Sequence, residues 1–340
     1  MTTDGKNGAR IVPADEGMNE AVVRLRTGKL VALPTETVYG LGADARNPDA
    51  VAQIFAVKGR PATNPLIVHV ADADAARALA GAWPDAAEKL AARFWPGPLT
   101  LVVPKTDAIP DVVTAGGATV ALRVPSHPVA LELLRRSGVP VAAPSANRSE
   151  EVSPTLAQHV ADSLGPYADD LLILDGGRCE VGLESTVLDV TCDPPRVLRP
   201  GMVTAVLLRE IVGEVSNGAA AGAGPARSPG QRERHYAPRK PVVVVPREQL
   251  KANAQPGDSV IPLHWKGMYS TFDGGGGLID NDRTNAPEKY AASLYFWLRF
   301  WDQNPTTRRI VVEEPPHGPE WEAIHDRLRR AAAAPGGGER

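Results

Sequence analysis

Along residues 10–213, short runs of apolar, β-favouring residues alternate with alanine-rich stretches whose apolar positions recur at helical spacing. The runs LVAL (30–33), LIVHV (66–70), LTLVV (99–103), ATVALRV (118–124), PVAA (140–143), LLIL (171–174) and STVLDV (185–190) predict strands. After the first of them, Asn47 supplies an N-cap and Pro48 suits the first helical position, while Val51, Ile54 and Phe55 form an apolar face. Alternation of this kind predicts a layered α/β domain. Several connections are too short for a crossover helix, so the expected sheet is twisted, open and mixed, with flanking helices.

The pattern breaks at 214–240, where SNGAAAGAGPARSPG is followed by QRERHYAPRK, too poor in large apolar groups to form a core. This stretch is predicted to be a linker. From 241 to 332, PVVVV, SVIPL and IVVEE bracket two helices and predict a second, smaller α/β unit. The longer helix has Asn285 as its expected cap and Pro287 in its first turn. It carries Tyr290, Leu294, Trp297, Leu298 and Trp301 at i, i+4, i+7, i+8 and i+11, which reads as a core face. Residues 333–340 are predicted to be a disordered tail.

Composition narrows the function classes. A length of 340 residues with 43% hydrophobic content suffices for two cores. A net charge of -3 argues against non-specific coating of nucleic acid but leaves room for a local basic groove. Cys179 and Cys192 have no metal-ligand spacing. No apolar run approaches the roughly 20 residues that cross a bilayer, and the polar start does not look like a secretory signal, so the expectation is a cytoplasmic protein.

Four segments carry groups suited to anions and small polar ligands, and each lies beside a predicted strand end. In LPTETVYGLGADA (33–45), the turn hydroxyls of Thr35 and Thr37 can bind a polar substrate or simply bond turn backbone. In KGRPATNPLIVHV (58–70), Lys58, Arg60 and Asn64 suit a polyphosphate or form a solvated basic loop, and His69 faces away from Val68 and Val70. Thr119, Ala121 and Arg123 share one strand face, and the Arg123 guanidinium needs an anionic partner, either protein or substrate carboxylate. VAAPSANRSEEVSPT (141–155) breaks from a strand into a Ser/Asn-rich loop, and Ser153 and Pro154 are expected to open a helix whose free amides suit a phosphate or ribose. No Walker, GxGxxG, HExxH or GxSxG motif occurs in these segments.

Taken in order, PTETVYGLG, KGRPATNPLIVH, WPGPLTLVV (95–103), VALRVP, APSAN, GLEST (182–186) and LRPG (198–201) closely resemble the YrdC-type threonylcarbamoyl-AMP synthase family. SPGQRERHYAP (228–238) resembles the linker of its longer members, which carry a smaller Rossmann-like C-terminal domain. The resemblance implies an enzyme that makes L-threonylcarbamoyladenylate from L-threonine, bicarbonate and ATP with magnesium. Pyrophosphate is released, and the product passes to a tRNA threonylcarbamoyl-transfer complex for modification next to the anticodon. A contact to tRNA itself is left open. By the same resemblance Thr37, His69, Arg123, Ala143 and Ser185 hold threonine. Lys58, Arg60, Asn64, Thr119, Ser145, Ser153 and Arg199 face ATP, and Tyr236 acts as a lid. Lys58 and Arg60 are the expected electrostatic catalysts, with no covalent nucleophile and no protein metal ligand. The sequence departs from the family at Glu150 and Glu151, where a glycine and a basic residue are common, placing negative charge near the nucleotide side. The rival reading is an RNA-binding or ribosome-associated module without synthase activity.

Overall fold

The computed structural model describes residues 8–218, 235–270, 276–282 and 286–333. Most of the predicted linker, the Asn285 cap and residues 334–340 of the predicted tail lie outside the described residues.

Residues 9–217 build one sheet from β1 (Ala9–Pro13), β2 (Val31–Leu33), β3 (Gly40–Asp44), β4 (Ile67–His69), β5 (Leu99–Pro104), β6 (Thr119–Arg123), β7 (Val141–Ala142), β8 (Leu171–Asp175), β9 (Thr186–Asp189), β10 (Arg196–Arg199) and β11 (Ser216–Asn217). Their order is β1-β8-β2-β3-β7-β4-β6-β5-β9-β10-β11. The sheet is mixed as expected: β1, β2, β4, β5 and β10 each have a parallel partner, and antiparallel pairs such as β3 with β7 and β5 with β6 sit among them.

All seven strand predictions fall on observed strands, but β1, β3, β10 and β11 were not foreseen. β3 contains Gly40 and Gly42, whose lack of a side chain permits close approach: a Cβ on Gly42 would come within 2.9 Å of side-chain atoms of Val141 and Leu33, so glycine serves close packing inside the sheet. β11 falls inside the stretch read as linker, where Ser216 and Asn217 pair with Arg196 and Val197.

Helices cover both faces. In α1 (Ala14–Arg26), Met18, Ala21 and Leu25 are buried, and they share a cluster with Leu133 and Leu134 and with Val31 and Leu172 of the sheet. α2 (Pro48–Lys58) begins as predicted, with Asn47 Oδ1 accepting the amides of Asp49 and Ala50 at 3.1 Å each. Ser153 and Pro154 do not open a helix. The next helix, α3 (Ala157–Leu164), starts later, because the Ser153 hydroxyl donates to Glu184 and the Pro154 carbonyl accepts the Tyr39 amide at 2.9 Å.

The second unit holds a parallel three-stranded sheet of β12 (Val242–Val245), β13 (Asp258–Ile261) and β14 (Arg309–Glu313), with β14 central, and a separate hairpin, 264–270 with 276–282. The predicted long helix is α4 (Pro287–Gln303), in which Tyr290, Leu294 and Leu298 are buried, while Trp297 and Trp301 are half-buried against the same cluster. α5 (Glu322–Ala332) follows β14. The cluster around α4 also takes in Val38, Val152 and Leu183, so the two units share one apolar contact.

Glu150 adopts φ +72°, a left-handed conformation disfavoured by roughly 1–2 kcal/mol for a residue with a Cβ. It is held there because its carbonyl accepts the Ala237 amide at 3.0 Å. Glu150→Gly is therefore expected to stabilise the protein by about 0.5–1 kcal/mol, the relief of strain being offset in part by glycine's freedom in the unfolded chain. Urea denaturation checks this, with Glu150→Ala expected to give no comparable gain.

Candidate active site

β4 and β6 run parallel with His69 opposite Arg123, so their side chains emerge side by side on one face of the sheet. The neighbouring β7 runs antiparallel to β4, and the chain beyond it is tied down by the Ala143 amide on Ile67 O (3.0 Å), the Leu41 amide on Pro144 O (2.8 Å) and the Ala146 amide on Tyr39 O (2.8 Å). These constraints bring four sequence-distant loops over the sheet face. They enclose a cavity of about 50 Å³. The lining groups sit at strand ends, as the sequence leads one to expect: His69, Arg123 and Arg199 are the last residues of β4, β6 and β10, Ala143 follows β7 and Ser185 precedes β9.

Nine of the residues expected at the site line this cavity: Thr37, His69, Arg123, Ala143 and Ser185 from the threonine set, and Arg60, Ser145, Arg199 and Tyr236 from the ATP set. Lys58, Asn64, Thr119 and Ser153 do not. Lys58 is 1% exposed, and its ammonium donates to the carbonyls of Ser145 (2.5 Å) and Asn147, directly behind the cavity wall. Burial, and next the Arg60 charge, push its pKa well below the usual lysine value. Asn64 accepts from Arg60 Nε through its backbone carbonyl at 3.2 Å. Thr119 opens β6 at the far end from Arg123. Ser153 is fully buried and donates to Glu184 Oε1 at 2.5 Å.

The anionic partner of Arg123 is a protein carboxylate. Arg123 Nη2 lies 2.8 Å from Glu36 Oε1, both side chains being about 5% exposed or less, while Nη1 donates to Thr37 Oγ1 (3.0 Å) and Nε to Gly97 O (3.2 Å). Burial drives the Glu36 carboxyl up, but the charge of the paired Arg123 prevails and holds it below the ordinary value. Thr35 bonds turn backbone, donating to Val38 O at 2.6 Å, so its hydroxyl serves the loop. Arg199 grips Ser185 twice, Nε to O at 3.0 Å and Nη2 to Oγ at 3.1 Å, and Thr100 Oγ1 lies 2.7 Å from Ser185 Oγ.

Sequence reasoning missed Glu184 and His235, both in the cavity wall. An acid in GLEST directly before the apolar strand run STVLDV was a usable signal, because a carboxylate drawn into the interior there needs a cation. His235 and His69 are each pushed down to about 3, by burial first, and are neutral at physiological pH; Nδ1 of each is buried with no hydrogen-bond partner in the protein. Buried unpartnered nitrogens cost about 1–3 kcal/mol each and mark a surface built to meet a ligand. Glu151, expected to place negative charge at the nucleotide side, turns away from the cavity: it accepts from Ser163 Oγ at 2.6 Å and faces Arg239 at 3.6 Å.

Arg123→Met strands the Glu36 carboxylate in the interior and is expected to cost about 3–5 kcal/mol at pH 7. In the variant the folded carboxyl titrates above its unfolded value, so its penalty is largest at neutral pH and fades as the pH falls. In the parent it titrates below, so the parent's gain is also lost on acidification. Urea denaturation should therefore show the gap narrowing from pH 7 to pH 4.

The family model Sua5_yciO_yrdC, described as "Telomere recombination", matches residues 23–201, and a model for the "Threonylcarbamoyl-AMP synthase, C-terminal domain" matches 202–333. Threonylcarbamoyl-AMP synthase of Pyrococcus abyssi is 42% identical over 319 residues, covering 91% of this chain and 92% of the relative. That of Bacillus subtilis is 42% identical over 331 residues, covering 94% and 93%. The crystal structure of P. abyssi Sua5 complexed with L-threonine superposes with a TM-score of 0.82 at 39% identity, covering 96% of each chain. No helix among the described residues is long and apolar enough to cross a membrane. With both of its parts matched and the relatives aligned almost end to end, this chain belongs to the threonylcarbamoyl-AMP synthase family of nucleotidyltransferase-type enzymes.

Proposed function

We propose that the cavity joins L-threonine, bicarbonate-derived carbon dioxide and ATP into L-threonylcarbamoyladenylate, releasing pyrophosphate, in the cytoplasm. The product serves threonylcarbamoyladenosine formation next to the tRNA anticodon through a separate transfer complex. One observation carries this reading: all five residues assigned to threonine line the same cavity as three of the residues assigned to ATP and the Tyr236 ring. The structure of the P. abyssi relative with L-threonine supports the amino-acid side of it.

In this reading the threonine amine, once deprotonated, attacks carbon dioxide to give N-carboxythreonine. That carboxylate then attacks the α-phosphorus of ATP, the bond to the β-phosphate oxygen breaks, and pyrophosphate leaves with the electron pair. No side chain is covalently modified. The neutral His69 ring offers Nδ1 as an acceptor to the amine or hydroxyl of threonine, Ser185 Oγ offers a polar contact already oriented by Thr100 and Arg199, and Arg123 with Glu36 forms a net-neutral end wall. Arg60 and Arg199 supply positive charge for the triphosphate and for the charge that builds at phosphorus. Lys58 contributes from behind the wall by holding the Ser145–Asn147 backbone, a positioning role rather than the direct contact the resemblance implies.

Magnesium enters with ATP as part of the substrate. Glu184 in the cavity wall is paired with Arg327, and Glu36 with Arg123. A magnesium ion held by phosphate oxygens and water is its usual mode with nucleotides. The RNA-binding alternative has no such support: Arg60, Arg123 and Arg199 are each 8% exposed or less, enclosed where structured RNA cannot reach them.

The deciding measurement is pyrophosphate release from MgATP with and without L-threonine and bicarbonate. Release requiring both co-substrates is expected, with Arg60→Ala lowering it by about 100-fold or more. A well-folded protein that shows no threonine-dependent release would refute the assignment.

A further inference from the structure

The loops of the cavity do not end at the first unit. Gly182 has φ +74°, and a Cβ on it would come within 2.6–2.9 Å of backbone atoms of Ala291 and Ala292, so the segment leading to Glu184 rests directly on the backbone of α4. Arg178 Nη2 adds a hydrogen bond to Ala292 O at 2.8 Å. From the same helix, Arg299 donates to the carbonyls of Ser153 (Nε, 3.3 Å) and Val152.

Between these grips lies the Glu184 carboxylate, which is 6% exposed and part of the cavity wall. Oε1 accepts from Ser153 Oγ at 2.5 Å; Oε2 accepts from Tyr295 Oη on α4 and from Arg327 Nε on α5, both at 2.9 Å. Arg327 is completely buried, its Nη1 is tied to Asp326 at 2.9 Å, and its guanidinium carbon lies 5.1 Å from the centre of the Tyr236 ring, which itself stacks on Tyr295 at 5.8 Å. Arg199 also acts on Glu184 through its charge. Its hydrogen bonds go to Ser185 and none goes to the Glu184 carboxylate.

An anionic side chain in the wall of a triphosphate site is a liability twice over: it repels the ligand, and it competes for the cations the ligand needs. We propose that Arg327 and Tyr295, both from the C-terminal unit, are positioning residues for nucleotide binding: by occupying Glu184 they leave Arg199 on Ser185 and keep Ser153 in place. This rests on ATP being the ligand of the cavity. It gives the second unit a specific task, completing the electrostatics of a site whose substrate-facing residues lie before it in the chain.

Burial raises the Glu184 carboxyl, but Arg327 first, then Arg199 and the hydrogen bonds from Ser153 and Arg327, bring it below the usual range, so it is ionised at neutral pH. The other titratable groups facing it are Tyr295, Tyr236, His235 and, through Arg327, Asp326. Without Arg327 the buried carboxyl titrates at higher pH. Above that point it is an unshielded anion in the wall, and below it is neutral and harmless to phosphate.

The test is the dissociation constant of the full-length protein for MgATP, read by calorimetry at pH 6 and pH 8, in Arg327→Met, Arg327→Lys, Tyr295→Phe and the double variant Arg327→Met/Glu184→Gln. Arg327→Met is expected to weaken binding by about 10- to 100-fold at pH 8 and by less at pH 6, the double variant to recover most of the loss, and Arg327→Lys to keep the parent's pH behaviour. Tyr295→Phe, which removes one hydroxyl and no charge, should fold normally and weaken binding by about tenfold or less. Unchanged ATP affinity in Arg327→Met and Tyr295→Phe, or a loss equal at both pH values that Glu184→Gln does not relieve, would overturn the proposal. Parent protein that binds MgATP with these responses yet releases no pyrophosphate would sink the synthase reading and leave this one standing.

Discussion

Everything around the cavity depends on charges that are buried and therefore must be matched. Arg123 faces Glu36 and Arg327 faces Glu184, each pair within 3 Å and out of reach of solvent. In such surroundings a charge without a partner costs several kcal/mol, so each pair dictates where its backbone can lie. The first pair ties the loop after β2 to the end of β6, and the second ties the segment before β9 to a helix some 140 residues later. Such pairs are weak sources of stability compared with apolar residues of the same volume, and their value here is that they fix geometry.

The division of labour between the units follows from this. The mixed sheet supplies a rigid floor in which His69 and Arg123 are neighbours by register. The loops above it are held from both sides: Arg199 and Thr100 of the first unit fix Ser185, while 152–153 and Glu184 are tied to α4 and α5 and by the apolar contact of Val38, Val152 and Leu183. A site assembled in this way has its chemistry in one part of the chain and its alignment in another.

Much of this was legible in the sequence. The strand runs stood out because these strands are buried on both faces and read as continuous apolar runs, and Asn47-Pro48 is a local helix signal that needs no tertiary help. His69 was readable as a polar residue facing away from Val68 and Val70. What failed depended on distant contacts. Ser153 looks like a helix cap until Glu184 takes its hydroxyl. Arg327 within HDRLRR is wholly buried, and nothing local to that charged stretch reveals that a carboxylate from residue 184 takes it. The paired strand of Ser216 and Asn217 is too short to carry a periodic pattern, and in β3 the glycine at 42 that makes room for Val141 and Leu33 interrupts the apolar run that would mark a strand.

The packing of the cavity wall has a thermodynamic consequence. That wall includes His235 and Tyr236, and the Tyr236 ring stacks on Tyr295 of the second unit at 5.8 Å. Any ligand that has to part these rings works against their packing, so its measured affinity contains the free energy of opening as well as that of contact. Two ligands that need the same opening share that cost, and such sharing couples their binding without any contact between them.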